Sequence, residues 1–527
     1  MHTERSIRCN SNIVDVRRYS SRRRGFQMKL SQKAENGITR RKFFKNAAIN
    51  GAAAFAVGAG GLALPASAQS NKSSPKISGK TIREAARETR VCRTADVVVV
   101  GGGPGGIGAA LTAARSGADT VLIERYEHLG GMGTGGLVTI IPNLSDFSGK
   151  QQIAGISQEW VDRLERREAC DYPKKEHWGS DDRKLVAYYE DRSFFNVREK
   201  TVIYSVHIDA EISKCILQDM VEEAGVKTYL HSWGTEPVMD GNTVKGVIFE
   251  SKSGRQAVLA KVVIDSTGDG DLLPYSGADF DSDIDPTLRI ANLSFSYWIA
   301  NVDLKKYQDY RNSHAVELAE QMREVRKRGG HAGFITSNLK DQEDLVWVFP
   351  RYANSSQVDV EELTRVEFIG RKEMLTSHDY YKKNIPGFEH SYIVLTNPQL
   401  GTRGCRRVAG EYVVTEKDLN TNQPFEDTIA IFPDVDRGRD SLKYPVTYMP
   451  YRCMIPRKVN NLLVACRAFS SDQIANNFFN LIPHCIALGE AAGIAAAQSI
   501  LRGVDLRKID IRTLQASLKK QGTILPG

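Results

Sequence analysis

The sequence predicts an α/β fold built on a parallel sheet, and three stretches carry that prediction. Residues 95–124, ADVVVVGGGPGGIGAALTAARSGADTVLIE, read as a buried strand, a glycine turn, an Ala-rich helix and a second apolar strand. Residues 226–264 hold short β-rich runs separated by turn residues, the pattern of a β-meander, and run into DSTGDGD at 265–271. Residues 461–465, NLLVA, form a third apolar strand ahead of a long helix over 484–501. These pieces are widely separated, so the sheet-bearing domain is discontinuous and an α+β segment is inserted into it.

Four consecutive valines, Val97 to Val100, suit a strand buried on both faces of a parallel sheet. Gly101, Gly103 and Gly106 then spell G-x-G-x-x-G: a tight turn, a close approach of a pyrophosphate to the backbone, and close helix–strand packing. The helix over 105–116 points its free N–H groups and positive dipole end at that turn. The strand over 120–123 ends in Glu124, eighteen residues after Gly106, where a carboxylate can accept hydrogen bonds from a ribose. Strand, helix and acid together make this a βαβ adenine-dinucleotide site. A second glycine-rich loop, LGGMGTGG at 129–136, is more than a plain nicotinamide-binding domain needs.

The helix over 210–224 has apolar helical spacing and stops at Gly225. The meander after it delivers the chain to TGDGD, a tight turn that brings backbone amides and the Asp269 carboxylate to one place. From 280 to 399 this rhythm is lost. Two helices, over 315–328 and 359–378, and scattered aromatics (Phe295, Tyr297, Trp298, Trp347, Phe349, Tyr352) read as a substrate or cap domain whose rings are mainly core. Pro483 suits the first turn of the last helix, and the small residues of GEAAGIAAA at 489–497 imply another backbone or a flat ligand lying very close.

The formal net charge of +8 belongs to the N-terminus. Residues 1–68 hold 13 of the 71 Lys/Arg and 3 of the 63 Asp/Glu, which leaves 58 basic and 60 acidic residues, so no nucleic-acid partner is indicated. Of the eight cysteines, seven lie beyond residue 68. They form no C-x-x-C and no spacing that suggests zinc or iron–sulfur ligation, and a disulfide framework is not expected. TRRKFFK at 39–45 resembles the twin-arginine export signal, with Thr for Ser and Phe for Leu. An Ala/Gly-rich run and an A-x-A cleavage site, Ala66-Ser67-Ala68, follow it, and Met28 is a candidate start. That signal implies export by the twin-arginine machinery, already folded, to a periplasmic or extracytoplasmic destination.

The combination VVVVGGGPGGIGAA, HLGGMGTGG, VIDSTGDGD, GTRGCRRVAGEYVVTEKDL, YMPYRCMIPRKVNNLLVACR and ALGEAAGIAAA resembles the FAD-dependent oxidoreductase family with the glutathione-reductase-like fold, over most of 95–522. The resemblance implies a Rossmann-like FAD domain, bound FAD and redox chemistry on a small organic substrate. Gly101, Gly103, Gly106, Glu124, Gly131, Met132 and Asp269 are expected to line the FAD, as are Gly489 and Gly493 of the last helix. The expected layout is a leader over 1–68, a linker over 69–92, FAD-binding segments over 93–140, 209–280 and 446–527, and substrate/cap segments over 141–208 and 281–445. Two departures fall where substrate would meet flavin: Cys466 stands in place of the Gly of A-G-R, and Asn480 where relatives often have Arg.

The cofactor supplies the redox chemistry of such an enzyme, and the protein needs a base for the substrate's proton. His484, supported by Asn480, is the first candidate, with a hydrogen-bonded structural histidine as the alternative. Arg403 and Arg407 are candidates to grip a substrate carboxylate, against structural ion pairing. His128 lies near the position where the succinate-dehydrogenase type of flavoprotein attaches FAD covalently. The electron acceptor is not legible. Two other readings stay open: an NAD(P)-dependent dehydrogenase, and an exported flavin-binding protein without catalysis.

Overall fold

The computed structural model describes residues 76–78, 81–337, 339–340, 342–433 and 446–526. The export signal around Arg40 and Arg41, the A-x-A site and Met28 all lie outside the described residues. The chain divides into two compact units, Met1–Ala85 and Ala86–Gly527. Within the first, Lys76–Ser78 pairs antiparallel with Thr81–Arg83. The second holds the features that follow.

Strand β1 runs from Arg90 to Val100, starting five residues before the predicted start at Ala95 and inside the expected linker. Its polar first half has no buried face to advertise it, and is drawn into the sheet by parallel pairing with Gln256 to Ala260. Helix α1 (Pro104–Arg115) and strand β2 (Thr120–Ile123) complete the βαβ unit, β2 lying parallel to β1. Helix α2 (Ala210–Glu223) starts at Asp209, whose carboxylate accepts the Ile212 N–H at 2.9 Å. Strand β3 (Lys227–Tyr229) then pairs parallel with β2.

The meander consists of β4 (Trp233–Asp240), β5 (Thr243–Ser251) and β6 (Gly254–Asp265), joined antiparallel. β6 has two roles. Its first half pairs antiparallel with β5, while Val262 to Asp265 run parallel to β1. The sheet order is therefore β3-β2-β1-β6-β5-β4. Along β1 the side chains alternate as a two-sided strand must: Val97 and Val99 join the core that holds α1, and Val98 and Val100 join the core under the meander.

The inserted segment has its own antiparallel sheet and core. Strand β7 (Tyr297–Ala300) lies between β8 (Val346–Val348) and β9 (Tyr392–Thr396). Helix α3 (Val360–Asn384), between β8 and β9 in sequence, shares an apolar cluster with Phe295, Tyr297 and Phe388. It runs six residues past the predicted end because nothing stops it before Ile385, which precedes Pro386 and is pushed to an extended conformation.

Strand β10 (Leu462–Val464) returns to the parallel layer beside the end of β6. Helix α4 (Ile482–Arg502) follows. It is long and apolar enough to cross a membrane by length and composition, but every residue over 482–499 is buried inside the protein, as befits a core helix.

Candidate cofactor and substrate site

The ends of β1, β2, β6 and β10 meet at one edge of the parallel layer, where open α/β sheets bind ligands. Gly101 leaves β1 with φ +96°, and a Cβ there would lie 2.4 Å from the Ser266 carbonyl oxygen, so only glycine fits between the two strand ends. A Cβ on Gly106 would lie 1.7 Å from the Gly101 oxygen, which seats α1 tightly on the turn. Gly103 differs: a Cβ there would meet only the Gly131 Cα, at 4.0 Å, so the space above it is cavity. No side chain caps the N-terminus of α1, whose first N–H groups are left for an anion.

Glu124 closes this end. Its carboxylate accepts the Gly102 N–H at 2.5 Å and the Tyr126 N–H at 2.8 Å, and burial raises its pKa. Glu124, Gly101, Arg125 and Thr267 line both a small cavity of about 30 Å³, which reaches Ser232 and Trp233, and a larger one of about 70 Å³. The larger cavity continues past Gly103, Gly131 and Met132 to Cys466, Arg467, Asn480 and Ile482.

The second glycine turn is folded by its own acid. Asp265, fully buried, accepts the Thr267 N–H (3.0 Å) and hydroxyl (2.7 Å) on one oxygen and the Leu272 N–H (3.1 Å) on the other. That frees Asp269 for a different task. Its Oδ2 pairs with the Arg467 guanidinium at 2.8 Å, while its Oδ1 is buried without a hydrogen-bond partner among the described residues. Arg467 also donates to the Thr402 hydroxyl at 2.6 Å, tying β10's exit to the inserted segment. Asp269 itself lines neither cavity, whereas Ser266, Thr267 and Gly268 of the turn line the larger one. An uncapped helix N-terminus, a ribose-type carboxylate and a cradle over Gly103 fit the groups of a flavin dinucleotide.

Other predicted residues are placed elsewhere. A Cβ on Gly489 would lie 2.0 Å from the Gly105 oxygen, and one on Gly493 would lie 2.3 Å from the Ala109 oxygen. Both glycines face α1, so the small residues of α4 serve a helix crossing and do not line the cavity. His484, the candidate base, does not line the cavity either. It is fully buried, stacked on Phe432 at 4.3 Å and edge-on to Phe479 at 5.5 Å, and burial holds its pKa down at about 3. Ile482 and Cys485, three apart, share the helix face that lines the cavity, and position 484 faces the core. Asn480 does reach the cavity, held by its amide donating to the Asn476 carbonyl at 2.8 Å.

His128 is buried, stacked on Tyr126 at 5.6 Å and pressed against Gly135, outside the cavity lining. Arg407 is a core residue that pairs with Asp281 and donates to the Asp283 carbonyl, so it offers nothing to a ligand. Arg403 is the one of the two that lines a cavity. That cavity, of about 140 Å³, shares the walls Met132, Thr402, Asn480 and Ile482 with the flavin-side one, and its other walls include Arg198, Arg351, Phe195, Trp347 and Phe349. Nothing in the sequence marks Arg198 or Arg351 beyond an aromatic two or three residues before each, too common to argue from. The rings at 347 and 349 do pack in an apolar cluster, as expected, and one side of each also forms cavity wall.

The model of the family described as FAD dependent oxidoreductase matches residues 96–518. No curated protein matches the sequence. Among solved structures, the fold is similar to a geranylgeranyl bacteriochlorophyll reductase-like protein from Thermoplasma acidophilum, with 16% identity over 82% of this chain and 84% of that one, and a TM-score of 0.41. It is also similar to p-nitrophenol 4-monooxygenase of Pseudomonas putida (13% identity, 81% and 85% covered, TM-score 0.39). A myxobacterial chondrochloren halogenase gives 12% identity, 81% and 79% coverage, and a TM-score of 0.39. The family model spans both strand-end turns, the cap and the last long helix. The chain belongs to the FAD-dependent oxidoreductase family, and FAD is its cofactor.

Proposed function

We propose that the protein is an exported dehydrogenase that moves hydride between a small organic substrate and its FAD. The observation that carries this reading is that Met132, Thr402, Asn480 and Ile482 wall both cavities, which sets a small molecule on the cap side one residue layer from the flavin side. The bound flavin supplies the hydride chemistry. The protein's part is to bind and orient. Gly103 and the α1 N-terminus would hold the dinucleotide's phosphates and Glu124 its ribose, while the Asp269–Arg467 pair fixes the second glycine turn. Asn480 is a positioning residue at the junction; the described lining of the cap-side cavity includes no histidine or carboxylate, so the proton released with the hydride passes to water at the exposed Arg351 end of that cavity.

Export is supported by the sequence alone, through Arg40-Arg41 and the A-x-A site. A cofactor enclosed by segments from the whole chain is consistent with a route that carries folded proteins. The full chain is expected to purify yellow and to release its flavin on acid precipitation. Its absorbance should bleach anaerobically with a member of a panel of hydroxy acids, sugars, amines and steroids. A colourless protein, or a yellow one that no donor bleaches, would end the dehydrogenase reading. Arg40→Lys with Arg41→Lys is expected to leave the protein in the cytoplasmic fraction; unchanged export would remove the twin-arginine route.

A further inference from the structure

We propose that the cap-side cavity binds a small organic carboxylate with a flat apolar body, its carboxylate held by Arg403 and Arg351. This rests on the reading of that cavity as the substrate site and adds the class of substrate.

The charge on the walls is of one sign. Arg198, Arg351 and Arg403 line the cavity, and no Asp or Glu does. Among the described residues no carboxylate pairs with Arg403 or Arg351. Arg403 sits deep in the protein yet keeps accessible surface, and that surface is cavity wall. Burial, and then the nearby positive charges of Arg289 and Arg351, pull its pKa down to about 9, so its charge is unfavourably placed until an anion arrives. Its position is fixed from the backbone: Gln357 Oε1 accepts both the Arg403 N–H (2.7 Å) and the Gly404 N–H (2.9 Å). Arg351 lies at the exposed mouth with its guanidinium over the Phe349 ring at 5.6 Å. Guanidinium forks match a planar carboxylate in two-point contacts.

The remaining walls describe the rest of the ligand. Trp347 and Phe349 stack at 4.3 Å, and Phe195 lies 6.5 Å from Trp347, giving a flat apolar surface. Trp347 Nε1, the Ser296 hydroxyl and Asn143 Oδ1 are buried in this lining with no hydrogen-bond partner among the described residues. Buried polar groups are normally satisfied, so these point to an occupant with polar atoms of its own. A volume of about 140 Å³ suits a body of roughly one ring, by comparison with apolar cavities of about 150 Å³ that hold benzene.

The test uses the FAD-loaded full chain. Benzoate, phenylacetate and short aliphatic carboxylates, each beside its neutral amide, are titrated by calorimetry and by perturbation of the flavin spectrum. Benzoate or phenylacetate is expected to bind at least about tenfold more tightly than its amide. Arg403→Gln is expected to remove that preference with FAD content unchanged, and Arg403→Lys to restore part of it. Amides that bind as well as the acids, a panel in which no carboxylate binds, or an Arg403→Gln protein with full carboxylate affinity would each overturn the assignment. Carboxylate binding by a protein that no donor bleaches would instead fault the dehydrogenase reading and leave the anion site standing.

Discussion

The two sides of the junction at Met132 and Asn480 are built from different materials. On the flavin side the working groups are mostly backbone: the uncapped N-terminus of α1, the glycine turns at Gly101 and Gly268, and glycines where a Cβ would strike a carbonyl. On the cap side they are side chains, three arginines and three rings drawn from around 195, 350 and 403. Backbone contacts tolerate one residue type at fixed spacing and therefore leave a motif. Side-chain contacts gathered from distant loops leave none. A family can thus keep its cofactor and change its substrate by altering a few residues on one side only.

Substitutions that act on one side and spare the other sharpen this contrast. Arg467→Ala should have the largest effect. It leaves Asp269, whose side chain is 6% exposed, without its cation, and breaking such a buried pair costs about 3–5 kcal/mol. A lower denaturation midpoint together with lost FAD is expected; a stable protein with full FAD content would show that the pair is dispensable. Gly489→Ala comes next. The added methyl, 2.0 Å from the Gly105 oxygen, forces α4 off α1 at a cost of about 1–3 kcal/mol, read as a lower melting temperature. Carboxylate affinity in the protein that still folds should change little, and a selective loss of that affinity would mean that the two sides are coupled through α4.

His484→Phe is expected to have the smallest effect on flavin reduction, less than about twofold, because position 484 does not face the cavity. Its signature lies in pH dependence. The imidazole pKa is about 3 in the folded protein and about 6.5 when unfolded, so its contribution is present above 6.5 and is lost as pH falls toward 3. The Phe variant should therefore lose less melting temperature than the parent between pH 6.5 and 4. A large fall in reduction rate would return His484 to the chemistry.

Much of the fold was legible because its constraints are local. The valines of β1, the glycines of both turns and the Pro483 helix start each announce their own environment. What failed was any question of which partner a residue meets. The small residues of α4 implied a close neighbour, and only the packed structure shows that the neighbour is α1. Arg403 and Arg407, four residues apart, have the same chemistry, and Asp281, more than a hundred residues upstream, decides that Arg407 is structural. His484 differs from the cavity-facing Ile482 and Cys485 only in phase within one helical turn, which the sequence alone does not set. Arg90 to Thr94 escaped notice because a strand can be recruited by backbone pairing without a hydrophobic pattern.

The walls of the flavin-side cavity come from residues 101–131, 266–268, 399–402 and 466–485. During synthesis, then, the walls of this cavity are complete only once residues 466–485 have left the ribosome. Nascent chains stopped before residue 466 are expected to retain no flavin. Loading with FAD then becomes a report that the last strand and helix have docked, a checkpoint written into the order of the chain.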